Sequence, residues 1–156
     1  MEEYMNIQYI TGKEELIDNV KELWNKLNEY HTNNSKYFSE DFRKYKFEDR
    51  SKGLQEKAKE GSIKIDLVKN KDIDKLVGYC ISTIDMKNIG EIDSLYIEKE
   101  YRGVDIGDKL MKNSIEWLES KEVNSIRIGV SVGNDKVLKF YERYGFYPRV
   151  TILQKK

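Results

Sequence analysis

The stretch Glu91–Leu110, EIDSLYIEKEYRGVDIGDKL, decides the fold of this chain. Ile92, Leu95, Tyr96 and Ile97 are strand formers. Glu98, Lys99 and Glu100 then break the apolar run and give the strand a polar exit. Arg102 and Gly103 follow, and Asp105 stands two residues before Gly107. From Ile106 the apolar period changes, so that Ile106, Leu110, Trp117 and Leu118 fall near one face of a helix. A strand that hands over to a helix through a glycine-containing turn gathers several backbone N–H groups into one space. The first helical N–H groups lack internal partners and carry the positive end of the helix dipole. Such an end is an anion site, and a diphosphate fits it. An ordinary strand, turn and helix, with glycine serving only the bend, is the competing reading of the same residues.

Before this stretch the chain alternates helix and strand patterns. Met5–Ile10 reads as a first strand, with Thr11 and Gly12 leading into a helix and Thr11 capping it through Glu14 or Glu15. Leu16, Ile17, Val20, Leu23, Trp24, Leu27 and Tyr30 form the apolar stripe of that helix. His31 follows at its end and reads as a surface or substrate-rim residue. After a break at residues 33–39, the charged segment 40–60 reads as one helix or two short ones. Its aromatic cluster, with Tyr37, Phe38, Phe42, Tyr45 and Phe47, reads first as packing against a sheet. Glu40, Asp41, Glu48 and Asp49 could draw in a cationic ligand, or be solvated. Residues 63–69, 76–85 and 91–97 are three strands joined by short polar turns, which predicts an antiparallel meander with the second strand most central.

After it, the helix runs to about Ser120, and residues 125–132 alternate as a strand. A strand, a helix and a strand in succession predict two parallel neighbours. Lys136–Tyr144 is a short helix striped by Val137, Phe140 and Tyr144. Gly145 suits its left-handed cap, Phe146 can fold back on the last turn, and residues 150–153 can form a last strand. The expected fold is α/β with a mixed sheet, antiparallel in its first half and locally parallel after it, and with helices on both faces. Residues 1–156 are expected to form one domain, long enough for a real core.

Composition narrows the function classes. Lysine plus arginine equals aspartate plus glutamate, 28 against 28, so no net charge favours a nucleic-acid or membrane-surface partner. The single cysteine, Cys80, excludes an intrachain disulfide and a multi-cysteine zinc site, and it lies in an apolar run as a small core residue. No early apolar stretch has the length of a signal peptide or a membrane span, so a cytoplasmic location is expected, with no metal.

Arg102-Gly103-Val104-Asp105-Ile106-Gly107 resembles the acyl-CoA signature of the GNAT N-acetyltransferase superfamily, Gln/Arg-x-x-Gly-x-Gly/Ala after a strand. Asn134 with Phe140-Tyr141-Glu142-Arg143-Tyr144-Gly145-Phe146 is similar to that family's second mark. The element order of nearly the whole chain resembles the family, whereas the first half carries no residue-level signature. Asp105 departs from the pattern, standing where the family usually has glycine. The resemblance implies acetyl-CoA as co-substrate and a parallel strand pair that splays to admit the pantetheine arm. The arm's amides would bond backbone groups of Leu95, Tyr96 and Ile97, a β-augmentation by a small molecule. The phosphates would lie on Arg102, Gly103, Val104, Asp105, Ile106, Gly107 and Asp108. Asn134 would bond the arm, cap the helix that follows it, or both.

The implied reaction moves an acetyl group to a primary amine of a small molecule or peptide. It needs a neutral amine and a proton for the departing thiolate. Glu91 and Asp93 are the candidate carboxylates, since residues two apart on a regular strand share a face. Their plainer reading is one solvated group and one salt bridge. Tyr141 is the implied general acid, and its plainer reading is a core tyrosine beside Phe140 and Tyr144. A non-catalytic acyl-CoA-binding or sensing module is the alternative function, to which Asp105 lends some weight. Monomer and homodimer both remain open.

Overall fold

The computed structural model describes residues 5–156. Five strands form one sheet in the order β1 (Ile7–Gly12), β2 (Ser62–Asn70), β3 (Lys75–Ile84), β4 (Ile89–Ile97) and β5 (Ser125–Ile128). The first four are antiparallel neighbours, and β4 and β5 are parallel. The densest apolar run, β3, is the middle strand, as its composition predicts.

Helices cover both faces. On one lie a 3-10 segment (Glu14–Val20), α1 (Lys21–Asn34), α2 (Ser39–Lys44) and α3 (Phe47–Glu60). Ile17, Val20, Leu23, Trp24, Phe47 and Leu54 pack there against Ile63, Ile65, Leu67, Tyr79 and Ile81. On the other face α4 (Ile106–Ser120) buries Ile106, Leu110, Met111, Ser114 and Leu118 against Val68, Val77, Cys80 and Ile92. A short helix, α5 (Lys136–Glu142), adds Phe140, Tyr141 and Tyr144 to the edge of that second core. Cys80 is fully buried beside the Ser114 hydroxyl, and burial pushes its thiol up to about 12. It is a core residue.

Several expectations are corrected by long-range partners. Thr11 and Gly12 belong to β1, and the Thr11 hydroxyl donates to Asp66 on the neighbouring strand instead of capping a helix. Of the one or two helices expected over 40–60, the charged segment forms two, parted at Tyr45 and Lys46. Phe47 enters the core against Trp24, whereas Tyr37 stays 60% exposed. Glu40 pairs with Arg43, Glu48 with Lys21 of α1, and Asp49 accepts from the Lys46 N–H, so three of the four segment carboxylates have partners. In the polar exit of β4, Glu98 is only 8% exposed and takes Lys26 and the Tyr96 hydroxyl. The strand expected over 125–132 stops at Ile128. The last strand expected over 150–153 does not form, and Val150, Ile152 and Leu153 are exposed. Alternation marks a segment as able to pair, but a strand exists only where a neighbour's backbone is in reach.

Candidate active site

The parallel pair parts early. β4 and β5 are in register from Ile89↔Ser125 to Ile92↔Ile128, and β4 then runs on to Ile97 while β5 has ended. The far edge of β4 stays bonded to β3 as far as Ile97↔Gly78. Residues 93–97 therefore carry one edge with no strand beside it among the described residues. A cleft of about 510 Å³ opens along that edge.

Each wall of the cleft comes from a different element. Leu95, Tyr96 and Ile97 supply the strand wall. Arg102, Gly103, Asp105, Gly107 and Asp108 supply the turn and the first turn of α4. Lys136, Val137, Phe140 and Tyr141 line it from α5, Asn134 and Arg143 from the segments just before and after that helix, and Leu27 and Tyr30 from α1. Of the residues expected at the cofactor, Val104 and Ile106 do not line the cleft: Val104 is 45% exposed and Ile106 is a core residue. Only their backbone groups can face a ligand there.

The turn is built by two left-handed residues. Gly103 has φ 83° and Asp105 has φ 68°. Aspartate is among the few L-residues that tolerate this region, which is how the turn survives without the usual glycine. The Asp105 carbonyl accepts from Lys109 N–H and starts α4, while no side chain caps the helix, so its first N–H groups face the cleft end uncapped. Gly107 serves packing as well: a Cβ there would lie 3.2 Å from both Ile97 Cδ1 and Phe140 Cζ. The Arg102 Nε donates to the Ile97 carbonyl at 2.8 Å, and its guanidinium lies over the Tyr96 ring. Asp108 accepts from the Tyr144 hydroxyl and pairs with Lys112 at 3.0 Å, and these two donors hold its carboxyl below the usual range.

Tyr141 reaches the cleft from α5 with its ring in the second core. Burial raises its phenol above the ordinary value, so it stays protonated. Gly145, at φ 87°, ends this element, and the Phe146 N–H turns back to the Tyr141 carbonyl. The Asn134 side chain does not cap α5 and stands at the cleft. The preceding Gly133 has φ 103°, and a Cβ on it would lie 2.3 Å from the Asn34 carbonyl oxygen. That contact seats the end of α1 on the loop before α5.

The two strand carboxylates lie elsewhere. Ile81 pairs with Ser94 and Ser82 with Ile92, so Asp93 is the extra residue of a β-bulge. The bulge still leaves Glu91 and Asp93 on one face, since Lys57 of α3 pairs with both, with Glu91 at 3.7 Å. Neither lines the cleft. The Asp93 side chain is fully buried, accepts from Thr83 Oγ1 at 2.6 Å and pairs with Lys57, while its carbonyl takes Arg50 Nη2. Burial pushes its carboxyl up, and Lys57 and Thr83 pull it back. Glu91 also meets Arg127 Nε at 3.3 Å. Sequence reasoning missed Lys57, Arg50 and Thr83, because one lysine in a charged helix carries no signal of its own. His31 lies between Tyr30 and Phe42, and burial lowers its pKa. Among the described residues, no three His, Cys, Asp or Glu side chains are grouped to hold a metal ion.

Comparison with known proteins places this geometry. The chain is 32% identical over 73 residues to the candidate ribosomal protein bS18 alanine N-acetyltransferase of Bacillus subtilis, covering 47% of this chain and 48% of that protein. It is 34% identical over 79 residues to N-alpha-acetyltransferase 30 of Schizosaccharomyces pombe, covering 48% of this chain and 53% of that one. The chain thus spans about half the length of these two relatives. An aminoglycoside N-acetyltransferase in complex with CoA shares the fold with a TM-score of 0.69 at 11% identity, over 100% of this chain and 99% of that one. The PaiA N-acetyltransferase of Thermoplasma acidophilum, solved with coenzyme A, does so with a TM-score of 0.65 at 20% identity, over 90% and 89%. The acetyltransferase (GNAT) family model matches residues 20–146, and the chain belongs to that family.

Proposed function

We propose that this chain transfers the acetyl group of acetyl-CoA to a primary amine, and that the acceptor is the N-terminal α-amine of a peptide. The observation that carries the acyl-CoA half is the parting of β4 from β5 after Ile92↔Ile128, which leaves a strand edge free along a cleft with an uncapped helix end at one side. A pantetheine arm laid there would find backbone partners on residues 93–97, and a diphosphate would find the first N–H groups of α4. The amine nitrogen attacks the thioester carbonyl, the C–S bond breaks, and the sulfur leaves as thiolate. The nitrogen, cationic once bonded to the acyl carbon, loses a proton to water, and Tyr141, held protonated by burial, hands its proton to the departing sulfur and regains one from solvent.

The α-amine follows from what the carboxylates are doing. Asp93 is enclosed by Lys57 and Thr83, and Glu91 is shared between Lys57 and Arg127. Neither stands free to take a proton from an alkylammonium. At pH 7.4 an α-amine of pKa about 7.8 is roughly one quarter neutral, whereas a lysine-type amine of pKa about 10.4 is neutral roughly once in a thousand. With both strand carboxylates engaged, the first is favoured by about two orders of magnitude in reactive amine. The names of the Bacillus and Schizosaccharomyces relatives support the same class.

The test is release of free thiol from acetyl-CoA in the presence of peptides with free or blocked N-termini, with spermidine and an aminoglycoside in parallel. Faster release with free N-termini is expected. No release with any amine, from a protein that binds CoA, would leave a binding module in place of an enzyme.

A further inference from the structure

The turn that would hold the diphosphate carries two carboxylates, Asp105 and Asp108. Asp108 is neutralised locally by Tyr144 and Lys112. Asp105 is exposed and has no ion-pair partner within 4.0 Å among the described residues. Arg102, the cation of the signature, is turned back onto Ile97 and Tyr96. The turn as it stands opposes an anion more than its backbone alone would.

Across the cleft a second guanidinium is placed for the task. Arg143 lines the cleft from the end of α5, with its guanidinium carbon 5.5 Å from the Phe140 ring centre and 5.7 Å from that of Tyr144. No carboxylate lies within 4.0 Å of it among the described residues. Tyr144 in turn donates to Asp108, so the ring on which Arg143 stacks is tied to the first turn of α4. An arginine packed against two rings gives up little freedom on binding, and its planar fork matches a phosphate edge.

We propose that Arg143 is the cation that receives the diphosphate of CoA in this chain, clamping it against the α4 N-terminus and offsetting the charge of Asp105. The proposal rests on the acyl-CoA reading above. The arginine serves binding and leaves the chemistry at the thioester untouched.

The experiment compares the protein with Arg143→Gln and Arg143→Lys, titrating CoA, dephospho-CoA and pantetheine, with melting temperature as the control for folding. A hydrogen bond to a charged group is worth about tenfold or more in affinity. Arg143→Gln should therefore weaken CoA and dephospho-CoA by the same factor of about ten or more and leave pantetheine unchanged, because pantetheine lacks the diphosphate. Arg143→Lys should recover only part of the loss, since it keeps the charge and lacks the fork. Equal CoA affinity for the protein and Arg143→Gln would overturn the proposal. So would a loss confined to CoA, which would assign the arginine to the 3′-phosphate, or an equal loss for pantetheine, which would make it structural. If the unaltered protein binds no CoA, the acyl-CoA reading itself fails and takes this inference with it.

Discussion

Replacing Lys57 with methionine should expose what holds Asp93 in the bulge. Methionine keeps most of the length and apolar stem of lysine and removes its charge. The Asp93 side chain is fully buried and would retain Thr83 as its remaining side-chain partner. Breaking a buried ion pair from one side costs about 3–5 kcal/mol. Lys57 is itself 40% exposed and Thr83 stays in place, so we expect a smaller loss, about 2 kcal/mol at pH 8. The pH dependence carries the argument. Burial already raises the Asp93 carboxyl, with Lys57 opposing that rise, so Lys57→Met raises it further. A carboxyl whose folded pKa exceeds its unfolded value favours the folded state when protonated, and that contribution is lost as pH climbs through the folded value. The Lys57→Met defect should therefore be large at pH 8 and shrink towards pH 4. Adding Asp93→Asn should restore most of the stability at pH 8, because the amide needs no counter-ion. Urea denaturation of the unaltered protein, Lys57→Met, Asp93→Asn and the double variant at pH 8 and pH 4.5 measures this. A defect of equal size at both pH values, or no recovery in the double variant, would refute the view that Asp93 is a charge held in place by Lys57.

Tyr141→Phe keeps the ring in the second core and removes the hydroxyl, so kcat should fall by about 10²–10⁴-fold with CoA affinity nearly unchanged; steady-state rates and a CoA titration decide it. Asp105→Gly keeps the left-handed turn and removes a carboxylate from the cleft end, so CoA should bind up to about tenfold more tightly at low salt, with the gain shrinking at high salt. Weaker binding in that folded variant would make the carboxylate a positive contributor. Gly133→Ala forces a Cβ onto the Asn34 carbonyl at a positive φ and should cost about 1–3 kcal/mol by urea denaturation while weakening CoA, since Asn134 is the next residue.

Much of the frame is legible in local sequence. The change of period at Ile106, the alternation of β2 to β4 and the stripe of α1 each follow from side chains a few residues apart. Asp105 in a left-handed conformation and Gly145 at the end of α5 follow from backbone sterics at single residues. The sequence signature of a strand, turn and helix, together with the Asn134 and Tyr141 region, was enough to point to the family that the comparison shows.

What the sequence by itself determined is thus the order and type of most elements and the turn that starts α4, because periodicity and φ preference act over one or two turns of chain. Tertiary structure alone decided the rest. Nothing in residues 125–132 says that the strand ends at Ile128, since the alternation continues while the pairing partner diverges. Nothing in the pair Glu91 and Asp93 reveals a bulge, or that Lys57, 36 residues before Asp93, takes both carboxylates. Nothing in the polar exit of β4 says that Glu98 is buried under Lys26, 72 residues away. The physical reason is the same in each case. A hydrogen-bond register or a buried charge is stabilised by whatever group the fold brings within about 3 Å, and that distance is set by packing between elements far apart in the chain.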